Sequence, residues 1–225
     1  MPYEQTEHHP AFEEYSEAIF ELAEDGVPVI QARISERLEV SRPAVSEMIR
    51  RMEREDLVKI RSDGEITLTR EGGELATTIV RRHRLAECFL TDVLGLNWTD
   101  AHSEAGRWEH VISPLVETAM LRTLGNPQTC PHGNPIPGSG YEEPEGAVGL
   151  SEIGAGDPFT VIRIPEELEW ETGQLAFLES TGLMPGRSGV VVSFAPDGTA
   201  TVDVDGNPFG VGGATAERIV VTPGA

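Results

Sequence analysis

His83 and Glu87 stand four residues apart, and His102, Gly106, Glu109 and His110 follow at offsets of 4, 7 and 8. In a helix, residues spaced in this way turn to one side. Imidazoles and carboxylates converging on one face are a metal-site arrangement, suited to borderline and hard divalent ions. Spacing alone also fits solvated His–Glu pairs, so the chemistry depends on the elements that hold these residues.

Two long helices carry them, from about Leu75 to Leu94 and from about Thr99 to Leu124, parted at Gly95-Leu96-Asn97-Trp98. Upstream, Tyr15, Ile19, Phe20 and Leu22 give a helical rhythm over Glu14–Ala23, ended by Asp25-Gly26-Val27-Pro28. A short helix over Ile30–Leu38 breaks at Glu39-Val40-Ser41, where Ser41 can cap a further helix with Pro43 in its first turn. In that helix Val45, Met48, Ile49 and Met52 form a buried stripe, and Ser46, Glu47, Arg50, Arg51 and Arg54 face away. Two helices around a tight turn, the second with an arginine-bearing face, match the helix-turn-helix pattern. The runs Leu57–Ile60 and Ile66–Thr69 around Ser62-Asp63-Gly64 then predict a hairpin wing.

After Gly125 the chain turns to proline- and glycine-rich linker chemistry, including Cys130-Pro131-His132-Gly133-Asn134-Pro135-Ile136-Pro137-Gly138. Cys130 and His132 are read here as linker residues packing on the last domain, Cys88 as core, and His8 and His9 as terminal tail. From Ala147, β-rich runs at Phe159–Ile164, Gly189–Phe194, Thr199–Val204 and Ala216–Val221 alternate with turns, which predicts a compact antiparallel barrel. The expected class is α+β, with a winged helix-turn-helix over 1–76, a helical metal-binding and dimerisation domain over 77–145 whose linker begins near 126, and a small barrel over 147–225.

The net charge of -21 opposes DNA binding only if it is evenly spread. Residues 33–84 hold 12 of the 17 Lys and Arg but 10 of the 38 Asp and Glu, so they carry +2 and the remainder -23. One stretch is therefore fit to meet phosphate. The chain has a single lysine, Lys59, against sixteen arginines. That acidic, lysine-poor composition resembles proteins of salt-accumulating organisms such as haloarchaea. Two cysteines outside any CxxC pair fit reduced thiols, and no apolar stretch approaches the roughly 18 residues of a membrane span. The start, MPYEQTEHHPAFEEY, lacks the order of a signal peptide, so a cytoplasmic location is expected.

The segments Ala32–Leu38, Ser41–Arg54, Arg82–Glu87, Glu104–His110 and Gly133–Gly138 resemble the diphtheria toxin repressor family of iron- and manganese-dependent regulators, in the family's domain order and over nearly the whole chain. The resemblance implies a homodimer that binds Fe(II) or Mn(II) at two sites per subunit and recognises a palindromic DNA operator, ending in a FeoA-like barrel of the Src-homology-3 type. His83, Glu87 and His102, with Glu171 and Gln174 from the barrel, match the family's ancillary site. Glu109 and His110 match its primary site, and Glu14 stands where iron regulators carry Met and manganese regulators an acidic residue. Gly106 departs from both patterns and offers only a carbonyl; Glu17, one turn after Glu14, matches a further acidic ligand of manganese regulators. Contact with DNA is expected from Arg33, Ser41, Arg42, Pro43, Ala44 and Glu47, with Arg50 or Arg51 on phosphates.

Two rival classes are a metalloenzyme and a metal-storage protein with a non-functional helix-turn-helix. The sequence contains no HExxH, nucleophile elbow or phosphate-binding loop. Neither rival needs the basic stretch over 33–84. No membrane and no small organic substrate are expected as partners.

Overall fold

A computed structural model describes residues 10–224; His8 and His9 lie outside the described residues. The chain begins with α1 (Pro10–Glu24), α2 (Gln31–Arg37) and α3 (Arg42–Arg54), followed by the hairpin strands β1 (Val58–Ile60) and β2 (Ile66–Leu68). Ser41 caps α3 by accepting from the Ala44 N–H at 3.4 Å, with Pro43 in the first turn. Val45, Ile49 and Met52 are fully buried against Ile19, Leu22, Ile34 and Ile66, closing the core of a winged helix. The hairpin pairs Val58 with Leu68 and Ile60 with Ile66, so the wing forms as its alternation predicts.

Next come α4 (Arg70–Asp92), α5 (Trp98–Trp108) and α6 (Pro114–Thr123). The long helix α4 starts within reach of the wing because Gly72 has no side chain: a Cβ there would lie 2.0 Å from the Leu57 carbonyl oxygen. The single helix expected over Thr99–Leu124 is two. Residues 109–113 break it, Ser113 accepts from the Val116 N–H at 3.3 Å as a new cap, and Pro114 starts α6. Proline disfavours helical backbone in the residue before it and cannot donate to the preceding turn, which forces the corner.

The C-terminal part contains β3 (Val148–Gly149), a 3-10 turn Leu150–Glu152, β4 (Pro158–Arg163), α7 (Glu166–Glu169), α8 (Gln174–Thr181), β5 (Ser188–Phe194), β6 (Ala200–Val204), β7 (Asn207–Val211), α9 (Gly213–Arg218) and β8 (Val220–Pro223). Its antiparallel sheet runs in the order β3-β8-β4-β5-β6-β7. The architecture is Src-homology-3-like, but the expected barrel is not closed. The edge strands β3 and β7 do not pair, and β3 is two residues long while β7 carries Pro208, which cannot donate to a further ladder. Residues 216–218, expected as strand, complete α9 instead.

The three hydrophobic cores cross the chain's own segments. Trp98, the first residue of α5, is buried in the C-terminal core, and Trp170, just after α7, packs on the winged-helix core. The proline-rich segment is held as well. Its His132 carbonyl accepts from the Ile164 N–H at 2.8 Å, and at Gly133, with φ +89°, a Cβ would lie 2.2 Å from the Ile162 oxygen.

Candidate metal centres and DNA-facing surface

His83, near the middle of α4, stands between two clusters. Its Nδ1 lies 2.5 Å from Glu109 Oε2 and 3.8 Å from Glu17 Oε1, while its Nε2 lies 3.3 Å from both Glu87 Oε1 and His102 Nδ1. All four partners come from different turns or different helices, so the cluster is a product of α1, α4 and α5 packing together.

On the first side, Glu17, His83 and Glu109 bring ligand atoms within 4.8 Å of one another, all buried. Burial and the neighbouring carboxylates of Glu109 and Glu21 push Glu17 well above the usual carboxylate range. Glu109 also reaches His110, whose Nε2 is 3.2 Å from Glu109 Oε1 and 3.4 Å from Glu14 Oε1. The Glu13 carboxylate at Nδ1, followed by that of Glu14, holds the His110 imidazole up to about 10. Five residues thus gather from α1, α4 and the end of α5: Glu14, Glu17, His83, Glu109 and His110. Gly106 lies one turn earlier on α5 with open space where a side chain would stand.

On the second side, Glu87 Oε1 lies 2.9 Å from His102 Nδ1, and Glu169 Oε2 of α7 lies 3.1 Å from the same atom. His132 Nδ1 lies 2.9 Å from Glu169 Oε2 and 3.4 Å from Glu87 Oε1, and the Cys130 sulfur lies 3.8 Å from that nitrogen. Asn134 orients Glu169 by donating to its Oε1 at 2.7 Å. Burial would raise Glu87 and Glu169, but the facing imidazoles win: Glu87 is held well below its ordinary range and Glu169 at about 2. Burial would likewise lower His102, yet its bonds to Glu169 and Glu87 lift it to about 9. Cys130 is pushed up to about 12, first by burial and then by Glu87. A thiol so placed ionises only beside added positive charge.

Of the expected ancillary residues, His83, Glu87 and His102 meet, whereas Glu171 and Gln174 do not join these groups. Glu171 is exposed and Gln174 is half-buried at the start of α8. The C-terminal domain instead delivers Glu169, with Glu166 beside it. His132 and Cys130, read from sequence as linker, are buried in the cluster. Their i, i+2 spacing beside two prolines was the available signal. Its weight depended on where the linker packs.

Do these residues fit a divalent cation? Among the described residues, Glu17 Oε1, Glu87 Oε2, His110 Nε2 and His132 Nε2 are buried without a hydrogen-bond partner. Buried polar atoms of this kind normally find a protein group, water or ion. Carboxylate and imidazole donors suit Mn(II) and Fe(II), and both clusters therefore fit.

The residues expected to contact DNA are exposed. Ser41, Arg42, Pro43, Ala44, Glu47, Arg50 and Arg51 are all exposed at the start and outer face of α3. Arg33 is exposed on α2, 2.8 Å from Glu36, and Arg51 lies over the Phe12 ring at 4.9 Å.

A winged helix whose first helix shares carboxylate–imidazole clusters with a helical domain defines a metal-responsive DNA-binding regulator. The comparisons agree. Residues 9–65 match the model for the iron dependent repressor N-terminal DNA binding domain, and residues 69–138 that for the iron dependent repressor metal binding and dimerisation domain. The iron-dependent repressor IdeR of Mycobacterium tuberculosis is 40% identical over 205 residues, covering 87% of this chain and 89% of that protein. The diphtheria toxin repressor of Corynebacterium diphtheriae is 46% identical over 145 residues, 64% of this chain and 59% of that one. A solved manganese-dependent transcriptional repressor in complex with manganese superposes with a TM-score of 0.81 at 32% identity, covering 94% of this chain and 99% of that one. The chain belongs to the diphtheria toxin repressor family of metal-dependent, DNA-binding transcriptional repressors.

Proposed function

We propose that this repressor is activated by Fe(II) or Mn(II) bound at two centres per subunit, and that the first centre clamps the DNA-binding domain to the helical domain. The observation that carries the reading is the convergence of Glu14 and Glu17 of α1 with Glu109 and His110 at the end of α5, beside the Nδ1 of His83, which lies 2.5 Å from Glu109 and leaves Nε2 for the second centre. Burial first, and then the facing carboxylates of Glu109 and Glu21, disfavour charge on Glu17. Glu14, Glu17, Glu109 and His110 would hold the divalent cation, whose positive charge would offset this penalty. Glu14 and Glu17 would thereby be held against the end of α5, and with them the position of α3.

The second centre in this reading draws on His83, Glu87, His102 and His132, with Glu169 as the acidic group from the C-terminal domain and Cys130 as a sulfur donor. Its residues tie that domain to α4 and α5. Val111, Leu115 and Val116 lie at the α5–α6 corner with exposures of 73%, 80% and 46%. Exposed apolar residues so closely grouped mark an association surface, and we assign them to the homodimer. Two copies of α3 related by the dimer axis would meet two half-sites of a palindromic operator in successive major grooves. Ser41, Arg42, Pro43, Ala44 and Glu47 read base edges there, while Arg33, Arg50 and Arg51 neutralise phosphates. Among the described residues no helix is long and apolar enough to cross a membrane. We place the protein in the cytoplasm, where its operator would be.

The test is operator binding titrated with Mn(II) and, without oxygen, Fe(II), at matched free-ion concentrations. Affinity is expected to rise with either ion, to fall with a chelator, and to lose its metal response in Glu14→Ala. Equal binding with and without metal would overturn the mechanism.

A further inference from the structure

Glu13 and His110 are 97 residues apart in sequence, yet the His110 Nδ1 lies 2.7 Å from Glu13 Oε2. Both side chains are mostly covered, at 15% and 18% exposure. The second ring nitrogen, Nε2, is buried and has no hydrogen-bond partner. It is this atom that faces Glu14 Oε1 and Glu109 Oε1, at 3.4 and 3.2 Å. The two nitrogens of one ring therefore have separate surroundings. Nδ1 meets a carboxylate outside the cluster of acidic ligand atoms, and Nε2 points into that cluster.

An imidazole can ligate through one nitrogen only if the other carries the proton. A carboxylate accepting from Nδ1–H fixes that choice, sets the plane of the ring and raises the basicity of Nε2. We infer that Glu13 is a positioning residue: by accepting from His110 Nδ1–H it presents His110 Nε2, together with Glu14 and Glu109, to a divalent cation. Glu13 itself holds no cation in this arrangement. The inference rests on the proposed reading of Glu14, Glu109 and His110 as a metal centre. It explains why two successive glutamates on α1 face the same histidine: Glu13 from the proton side and Glu14 from the ligand side.

The competing account is a plain tether, an ion pair joining α1 to the end of α5. The two differ in what a neutral acceptor can do. The Gln amide oxygen can still accept from Nδ1–H but carries no charge. On the full chain, Mn(II) affinity measured by calorimetry is expected to fall roughly tenfold or more in Glu13→Ala, the range seen when a ligand's outer partner is removed. Glu13→Gln should recover most of it, to within about threefold of the parent. If Gln binds Mn(II) no better than Ala, or if Ala binds like the parent, the hydrogen-bond role is overturned. His110→Ala separates the two layers. An unchanged Mn(II) affinity in that variant overturns the metal-centre reading itself, whereas a loss there beside an unchanged Glu13→Ala overturns only the role of Glu13. A measurement on the parent protein guards against a variant that fails to fold. In the Zn(II)-loaded chain, nitrogen-resolved NMR should show the His110 proton on Nδ1, as a resonance missing from His110→Ala. A proton on Nε2 in the loaded protein overturns the inference.

Discussion

The Arg37 guanidinium lies 4.0 Å from the centre of the Trp170 ring, joining the end of α2 to the segment that follows α7. Arg37 is anchored from the other side by Glu21 of α1, at 2.9 Å. Glu169, the acidic group at the second cluster, immediately precedes Trp170. The same short stretch is pinned at Glu166 to the fully buried Arg84, which also holds Glu24 and the Pro135 carbonyl, each at 2.5 Å. The C-terminal domain therefore touches the helix-turn-helix directly, one residue from a metal-capable carboxylate. A cation–π contact that is partly desolvated contributes about 1–2 kcal/mol. Trp170→Ala is expected to weaken operator binding of the Mn(II)-loaded protein by roughly five- to thirtyfold, with Trp170→Phe closer to the parent because a ring remains. Parent-like operator affinity in Trp170→Ala, measured by fluorescence anisotropy, would remove this contact from the path between the domains.

The second cluster discriminates between Glu169 and the pair expected from the family pattern. Glu169→Ala removes one of the two carboxylates, with Glu87, that His102 and His132 share. Metal affinity at that centre should drop by roughly tenfold or more, whereas replacing Glu171 and Gln174 together by Ala should change it by less than about threefold. Metal stoichiometry and affinity by calorimetry decide this. The opposite ranking would return the site to Glu171 and Gln174.

Gly106 offers room for a ligand. Apart from its chain neighbours and the adjacent helix backbone, nothing lies within 4 Å of a Cβ built there, and the residue sits inside α5. Gly106→Glu should add an acidic side chain one turn before Glu109 and His110 and shift activation toward Mn(II) relative to Fe(II). Removing a helical glycine should also stabilise the fold by about 0.5–1 kcal/mol. Anaerobic activation curves for the two ions, and thermal unfolding of the metal-free chain, measure the two effects separately.

Asp25 closes α1 onto the C-terminal domain, 3.1 Å from Arg163 and accepting from the Glu167 N–H at 3.1 Å. Burial outweighs Arg163 and raises this carboxyl to about 6 from 3.8. A raised carboxyl makes the native state bind its proton more tightly than the unfolded state does. The group therefore adds stability below pH 4, and that stability is lost as pH rises through about 6. The change amounts to about 3 kcal/mol at most. Asp25→Asn should flatten the fall in stability between pH 4 and 6.5, seen in denaturant unfolding of the metal-free protein. An unchanged slope would show that Asp25 ionises freely.

Charge sets a further expectation. With -21 overall and -23 outside residues 33–84, self-repulsion opposes compaction at low salt. The Debye length falls from about 10 Å at 0.1 M to about 3 Å at 1 M. The unfolding temperature should therefore climb steadily from 0.1 to 2 M KCl, and specific operator binding should persist near molar KCl. Collapse of specific binding well below 1 M would contradict a salt-adapted design.

The sequence by itself determined the elements whose stabilisation is local. The stripe of Val45, Met48, Ile49 and Met52, the Ser41 cap and the Asp63-Gly64 turn give the winged helix because periodicity and turn chemistry act within a few residues. The break before Pro114 was equally local, and Ser113-Pro114 carried it, but the apolar run through that region masked the signal. The spacing of His83, Glu87, His102, Glu109 and His110 likewise put these side chains on helical faces that converge. Only the tertiary structure decided how those faces combine. His83 touches two clusters because α1 and the end of α5 meet one edge of its ring while Glu87 and His102 meet the other, and no spacing within one helix reveals that. His132 joins the Glu87–Glu169 cluster because Gly133 lets the proline-rich segment press on β4, and Glu169 rather than Glu171 lies there because the short helix α7 turns its last carboxylate inward. The sheet stays open because closure depends on strand lengths and edges meeting across the whole domain. These are long-range packing outcomes, set by which surfaces exclude water together rather than by the residues beside them in the chain.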